Sequence, residues 1–284
     1  MDFKNILTEI KEKVFTITLN RPDKLNALNN ALGEELVSAL ELAEENAGVG
    51  VIVIKGAGRA FCAGYDIGPD EYGSKEAFAD IAADRKQLLA HQRRWWRIWE
   101  CTKPVIAQVH GYCLAGGTEL AMMCDLVICA EDARFGYPPL RDMGSPLTPI
   151  WPWIVGARWA KMLYFTGDDI DGRTAETIGM VNFAVPGDRL EQAVNLLAER
   201  ISNVPSDLLM LHKQQVNRAF EIMGIRSAVS SGADFDAIGH AARGAQEGFF
   251  LPAVKSGVKW VLEKRARLFP GNIFDMINNL KKKL

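Results

Sequence analysis

No run of the 284-residue chain approaches the ~18 consecutive apolar residues of a membrane helix. The charged N-terminus MDFKNILTEI lacks an apolar stretch followed by a small-residue cleavage site, so neither a secretory signal nor a membrane partner is expected. Charge of one sign is also missing. Lys and Arg number 33 against 35 Asp and Glu, a net charge of −2, without the basic footprint of a nucleic-acid binder. The five cysteines (Cys62, Cys101, Cys113, Cys124 and Cys129) are odd in number and form no CxxC pair. They are expected as buried reduced thiols in a cytoplasmic, reducing compartment, with no metal site. Several cofactor motifs are absent as well. Gly56 and Gly58 begin a GxG, but Phe61 stands where the dinucleotide fingerprint needs its third glycine. There is no P-loop, no GxSxG elbow and no HExxH.

What is present supports a full core, since 48% of the residues are hydrophobic. VFTITL (14–19) alternates as a strand does, and VGVIVIKG (49–56) is a continuous apolar run, as in a strand covered on both faces. PVIAQVHG (104–111), DLVICAED (125–132) and MVNFAV (180–185) are further strands. Residues 29–46 form a helix with the stripe Leu32, Leu36, Ala39, Leu40 and Ala43, capped by Asn29 or Asn30. Strands alternating with helices predict an α/β fold with parallel strands through about residue 203. Beyond it, 206–223, 226–247 and 253–267 read as helices, so 204–284 is expected to be a separate helical region. Residues 70–100 are polar and end in HQRRWWRIWE; Trp95, Trp96 and Trp99 make either a packed stripe or the wall of a pocket.

Two apolar strands end in glycine-rich loops, AGRAFCAGYDI (57–67) and YCLAGGTEL (112–120). In a parallel sheet such loops face one crevice, and glycine leaves main-chain N–H groups uncovered. The amides of Ala63 and Gly116 are the candidates for gripping one oxygen that gains negative charge. Glu119 follows Gly116 within a run of core-like residues, a costly place for an acid and a suitable one for a proton carrier. His110, beside the second loop, reads as a strand-end histidine with its hydrogen bonds satisfied.

NRPDKLNAL (20–28), GAGRAFCAGYDI (56–67), KPVIAQVHGYCLAGGTELAMMCDLVICAEDARFG (103–136) and TGDDIDGRTAETIGMVNFAVP (166–186) together resemble the crotonase, or enoyl-CoA hydratase/isomerase, family. EGFFLPAVKSGVKWVLEKRARLF (247–269) is similar to the family's closing helices, so the likeness spans nearly the whole chain. It implies a spiral of β-β-α turns (1–203), a C-terminal trimerisation region (204–284), and a homotrimer or dimer of trimers. It also implies an acyl-coenzyme A thioester as substrate and no permanent cofactor. Ala63 and Gly116 match the oxyanion amides, and Glu119 matches one of two catalytic glutamates. Coenzyme A is expected along Lys24, Leu25 and Ala27, and along Gly64, Tyr65, Asp66 and Ile67, with Gly117 close by. Phe250, Lys264 and Phe269 are looser candidates.

The chain departs from the family where hydratases carry their second glutamate, after a Phe-Gly pair like Phe135-Gly136. Pro139 stands there and has no proton to give. Asp142 is the nearest substitute, with Tyr137 and Asp66 behind it; alternatively Asp142 pairs with Arg141 or Arg173. Trp151 and Trp153 in GSPLTPIWPWIVG (144–156) make either a bulky substrate wall or core. The expected activity is hydration of an enoyl-CoA. Isomerisation, decarboxylation or C–C hydrolysis of a cyclic or aromatic acyl-CoA is the alternative, and a non-catalytic binding protein is the reading of another class.

Overall fold

In the computed structural model, residues 3–68 and 80–281 are described. Residues 70–79 of the polar segment lie outside them. Among the described residues ten strands are formed: β1 (Ile6–Lys11), β2 (Val14–Leu19), β3 (Val51–Gly56), β4 (Ala60–Cys62), β5 (Val105–Val109), β6 (Tyr112–Leu114), β7 (Leu126–Ala130), β8 (Arg134–Gly136), β9 (Asp169–Asp171) and β10 (Phe183–Val185). A six-stranded sheet has the order β1-β2-β3-β5-β7-β10, and a four-stranded sheet the order β4-β6-β8-β9. Three times the chain runs up a long strand of the first sheet and into a short strand of the second, at β3–β4, β5–β6 and β7–β8. A helix then returns it, so each turn of the spiral is a β-β-α unit.

The strand chemistry follows the burial. In β2 alternate residues are buried, as the period of 2 requires, whereas Val51–Ile54 of β3 are covered on both faces. The expected parallel pairing holds for β2 through β10 in the larger sheet. It fails at two edges, where β1 pairs antiparallel with β2 and β9 with β8. The β1–β2 link is too short for a crossover, and Glu12 takes φ +54° to turn it.

Asn29 caps the helix Asn30–Glu45, its side chain accepting from Leu32 N at 2.9 Å, and the expected stripe is its buried face. From Ser206 onward the described chain is mainly helical, with Ser206–Ile222, Ile225–Ala241, Leu251–Ser256, Val258–Leu268 and Ile273–Lys281. Lys213 ties the first of these to the body. Its buried ammonium donates to the carbonyls of Ile98 and Lys103 and to Asp125 at 2.7 Å, so the ion pair is also fully hydrogen-bonded. Ile225–Ala241 packs along Ile81–Glu100. Gln92 Nε2 from the latter donates to Leu147 O (2.6 Å) and Val229 O (2.7 Å), pinning the 144–148 loop between the two helices.

Candidate active site

Ala115 ends the turn after β6 with φ +48° and ψ −122°, a conformation that costs a non-glycine residue about 1–3 kcal/mol. The strain sets the plane of the Ala115–Gly116 peptide and starts the seven-residue helix Gly116–Met122. Glu119 lies in its first turn and is 1% exposed. Its Oε1 accepts from Tyr137 OH (2.9 Å) and Thr148 N (3.0 Å), and its Oε2 from Tyr65 OH (2.6 Å). Tyr65 OH in turn accepts from Trp95 Nε1 at 2.9 Å. Burial raises the pKa of Glu119, against the opposing effect of these hydrogen bonds. Both tyrosines are raised by burial and by the neighbouring carboxylate.

Beside this group opens a cavity of about 800 Å³. Tyr65 and Tyr137 line it and Glu119 does not, so the acid stands behind two phenols. The turns before and after Tyr65 and Gly116 adjoin. A Cβ on Gly116 would lie 2.8 Å from the Tyr65 ring, and one on Gly64 would lie 3.5 Å from Gly116 N. Among the described residues, the main-chain amides of Tyr65 and Gly116 donate to nothing.

The Ala63 amide is different, and it corrects the sequence expectation. It donates to the carbonyl of Leu25 over 3.0 Å and has no hydrogen to offer a ligand. The open donor of that loop is two residues later, at Tyr65. Lys24, Ala27, Ala63, Tyr65, Asp66 and Ile67 line the cavity as expected. Leu25, Gly64, Gly116 and Gly117 are not among the described lining residues, though Ala115, which shares its peptide with the Gly116 amide, is. Leu25 has φ +51° and serves Ala63 through its carbonyl. A Cβ on Gly117 would meet Cys62 O at 2.4 Å, so that glycine is needed for packing against β4. Asp66 pairs with Arg21 at 2.8 Å. Partial burial opposes its ionisation, but Arg21 and the Gly68 amide hold its pKa below the ordinary aspartate value, which suits a fixed anion more than an acid.

Asp142 is also corrected. It pairs with neither Arg141, which binds Asp168, nor Arg173, which binds Glu131. Arg265 of Val258–Leu268 clamps it with Nε at 3.0 Å and with Nη2, and its carboxylate does not line the cavity. Trp151 is core, stacked on Tyr164 with ring centroids 5.0 Å apart and edge-on to Tyr137. Trp153 packs on Phe220, so neither tryptophan walls the cavity. Phe250, Lys264 and Phe269 are likewise absent from the described lining; Val258, Lys259, Leu262 and Arg265 supply that side. His110 Nε2 meets Gly58 O at 2.9 Å, the satisfied role expected of it.

The model of the family described as enoyl-CoA hydratase/isomerase matches residues 9–248. The chain belongs to the enoyl-CoA hydratase/isomerase family. It is 34% identical over 276 residues to a probable enoyl-CoA hydratase of Mycobacterium bovis, covering 95% of this chain and 99% of that one. It is 35% identical over 221 residues to the 2,3-dehydroadipyl-CoA hydratase of Escherichia coli, with 76% and 83% covered. A solved enoyl-CoA hydratase/isomerase of Xanthobacter autotrophicus Py2 superposes with a TM-score of 0.87 at 36% identity, covering 95% of this chain and 100% of that one.

For a member of this family the lining holds an unforeseen group. Asp84 enters from Ile81–Glu100, and Asp236 and His240 from Ile225–Ala241. His240 Nδ1 lies 2.7 Å from Asp84 Oδ2, and His240 Nε2 3.4 Å from Asp236 Oδ1, which also accepts from Ser145 N at 3.0 Å. Burial raises Asp236 to about 7; Glu119 and Asp84 push the same way, while His240 and the Ser145 amide oppose them. Burial disfavours the His240 imidazolium, but Asp84 and Asp236 outweigh it and leave its pKa raised. The available sequence signal was Asp236 and His240 four residues apart, on one face of a helix. Nothing local linked them to Asp84. The segment ending in Ile81–Glu100 proves to be both packed stripe and wall: Trp95 and Trp96 are buried, and Asp84, Gln87, Leu88 and His91 face the cavity. Burial and Arg94 lower His91 to about 4, so its ring is neutral at pH 7.

Proposed function

We propose that the cavity takes an α,β-unsaturated acyl-coenzyme A and that the enzyme adds water across its double bond, a hydro-lyase reaction. The observation that carries this reading is the pair of unengaged amides, Tyr65 and Gly116, on adjoining turns whose residues Tyr65 and Ala115 line the cavity. The thioester oxygen accepts from both. As the water oxygen bonds the β-carbon, the π electrons move toward that oxygen and an enolate forms. Donors already fixed in place stabilise it without reorganising, and losing one costs about 2.7–4 kcal/mol.

Glu119 acts through the phenols in front of it. The water gives its proton to a tyrosine oxygen as that tyrosine gives its own to Glu119, whose burial favours taking it up. Coenzyme A lies along Lys24, Ala27, Asp66 and Ile67, where the Lys24 ammonium suits its phosphates. These groups need no permanent cofactor. The relatives whose names specify enoyl-CoA or dehydroadipyl-CoA hydration support the substrate class. Leu211, Val216, Phe235 and Ile238, apolar and exposed on the C-terminal helices, suit a homotrimer or dimer of trimers. A cytoplasmic location fits the five free, buried thiols, and no helix of the described residues is long and apolar enough to cross a membrane.

The test is loss of the enone-thioester absorbance when enzyme is added to crotonyl-CoA and longer enoyl-CoAs. Glu119→Gln should lower turnover at least ~100-fold while retaining thioester affinity. Tight acyl-CoA binding without hydration at any chain length would move the chemistry to isomerisation or C–C cleavage through the same enolate. No binding of acyl-CoA would leave only a binding role toward another partner.

A further inference from the structure

Hydration needs two proton movements: one off the attacking water, and one onto the α-carbon. The Glu119 group supplies one carrier, and Pro139 has removed the carboxyl expected to supply the other. Among the described residues that line the cavity, four carry a carboxylate or an imidazole beyond Asp66, which Arg21 holds as an anion: Asp84, His91, Asp236 and His240. His91 is neutral and stands edge-on to the Tyr65 ring. Asp84 is turned into His240 Nδ1. Asp236 is tied to the same loop as the reacting centre: the Ser145 amide donates to Asp236 Oδ1 and the Thr148 amide to Glu119 Oε1.

We propose that Asp236 is the second catalytic carboxyl of this enzyme, delivering the α-carbon proton during hydration from a helix in the C-terminal third, with His240 and Asp84 as its positioning residues. This rests on the hydration reading above. Gly144 and Ser145 line the cavity against Asp236, the Ser145 amide holding its Oδ1, and Pro139 lines the same cavity. Gly144 is required there, since a Cβ would come within 2.5 Å of that oxygen. In the forward step the water oxygen bonds the β-carbon and its proton passes through a tyrosine to Glu119. The enolate electrons then take the proton of neutral Asp236 at the α-carbon, leaving a carboxylate that the His240 imidazolium stabilises. Exchange with solvent after product release returns a proton to Asp236 and removes one from Glu119.

The groups that set its titration come from every side. They are His240 on its own helix, Asp84 across from it, Glu119 behind the phenols of Tyr65 and Tyr137, and the Ser145 amide. The Arg265 guanidinium at the cavity is neutralised by Asp142. Proton affinity near neutrality fits a carrier that gives a proton up in one direction and recovers it in the other.

The experiment compares wild type, Asp236→Asn and His240→Gln over pH 5–9 in both directions, together with solvent-deuterium exchange at the α-carbon of a saturated acyl-CoA and its binding by titration. In wild type, hydration should fall as pH rises through about 7, while dehydration rises. Asp236→Asn should lower turnover roughly 100-fold or more, abolish both limbs and the α-exchange, and retain acyl-CoA binding. His240→Gln keeps the carboxyl but removes its cationic partner, so both limbs should move up by roughly one pH unit. Wild-type turnover with unchanged limbs in Asp236→Asn overturns the proposal, as do limbs that stay in place in His240→Gln should the first variant fail to fold. If wild type exchanges the α-hydrogen but hydrates nothing, the hydration reading falls, and loss of exchange in Asp236→Asn still upholds the assignment of the carboxyl. If wild type neither hydrates nor exchanges, both fall.

Discussion

The hydroxyl of Tyr65 donates to Oε2 of Glu119 over 2.6 Å and accepts from Trp95 Nε1 over 2.9 Å. The acid that the sequence marks as catalytic therefore meets the cavity through a phenol. Tyr65→Phe would strip Oε2 of its donor and leave the buried indole N–H without its acceptor. A stability loss of about 1–3 kcal/mol is expected from the two stranded groups. If the water proton leaves through Tyr65, turnover should fall about 100-fold with KM little changed, because the Tyr65 amide remains. Steady-state kinetics beside urea denaturation separates the two effects. Unaltered kcat would assign the proton path to Tyr137 instead.

Gly116→Ala tests the amide pair. The new Cβ would stand 2.8–3.0 Å from three atoms of the Tyr65 ring, which Glu119 and Trp95 hold at its far end. The ring or the Gly116 peptide must give way, so turnover should drop about 10²–10³-fold. Titration with a saturated acyl-CoA should show weaker binding by a much smaller factor, since most of the lining is untouched. Gly117→Ala makes a useful contrast. Its Cβ would strike the backbone of Cys62 at 2.4 Å, and it should lower folded yield without a selective effect on kcat.

The long strands and the Asn29-capped helix were legible because their signals are local: alternation in β2, mainly apolar runs in β3, β5 and β7, and Asn29 before its stripe. The second sheet was not. β4, β6, β8 and β9 are three residues each, too short for a period of 2 to repeat, and β4 and β6 lie inside the two glycine-rich loops. β1 was hidden for another reason: five of its six residues are exposed, so it shows no buried face. At the site, Glu119 and Gly116 stood out as an acid and a glycine in an apolar run. The choice of Ala63 over Tyr65 failed because a carbonyl from the left-handed turn at Leu25 consumes the Ala63 amide, and local sequence does not report that bond. The Asp84, Asp236 and His240 group was invisible because it is assembled by helix packing across some 150 residues of chain.

Asp142→Asn should separate structure from chemistry. Asp142 and Arg265 are nearly buried and tie the 138–142 turn to Val258–Leu268. Breaking a buried pair from one side leaves the other charge uncompensated and costs about 3–5 kcal/mol; the amide keeps part of the hydrogen bonding, so a loss nearer 2 kcal/mol is expected. Turnover per folded enzyme should change less than about tenfold, because the carboxylate does not line the cavity. A loss as large as that of Glu119→Gln at full structural integrity would return Asp142 to the mechanism.

Asp236 also sets a direction for stability against pH. Its pKa is about 7 in the folded chain against an ordinary 3.8, so between those values the native state binds more protons than the unfolded one. The stabilisation is fully present below about 3.8 and is lost as pH rises through about 7. His240, also raised, acts in the same sense at the upper end. The depressed groups Glu35, Glu44 and Asp66 act in the opposite sense, but their effect is complete above ordinary carboxylate values. His91, held near 4, opposes this as pH rises from 5 to its ordinary 6.5, and it does so in both proteins, so the comparison isolates Asp236: wild type should lose more stability, or gain less, from pH 5 to pH 8 than Asp236→Asn does. Asp236→Asn cannot titrate, and losing that carboxylate also lowers the proton affinity of His240, so the two changes should differ by on the order of 2 kcal/mol. Urea midpoints of both proteins at the two pH values decide it. Curves that run parallel would mean that Asp236 is already ionised at pH 5 and is too acidic to hold the α-carbon proton near neutrality.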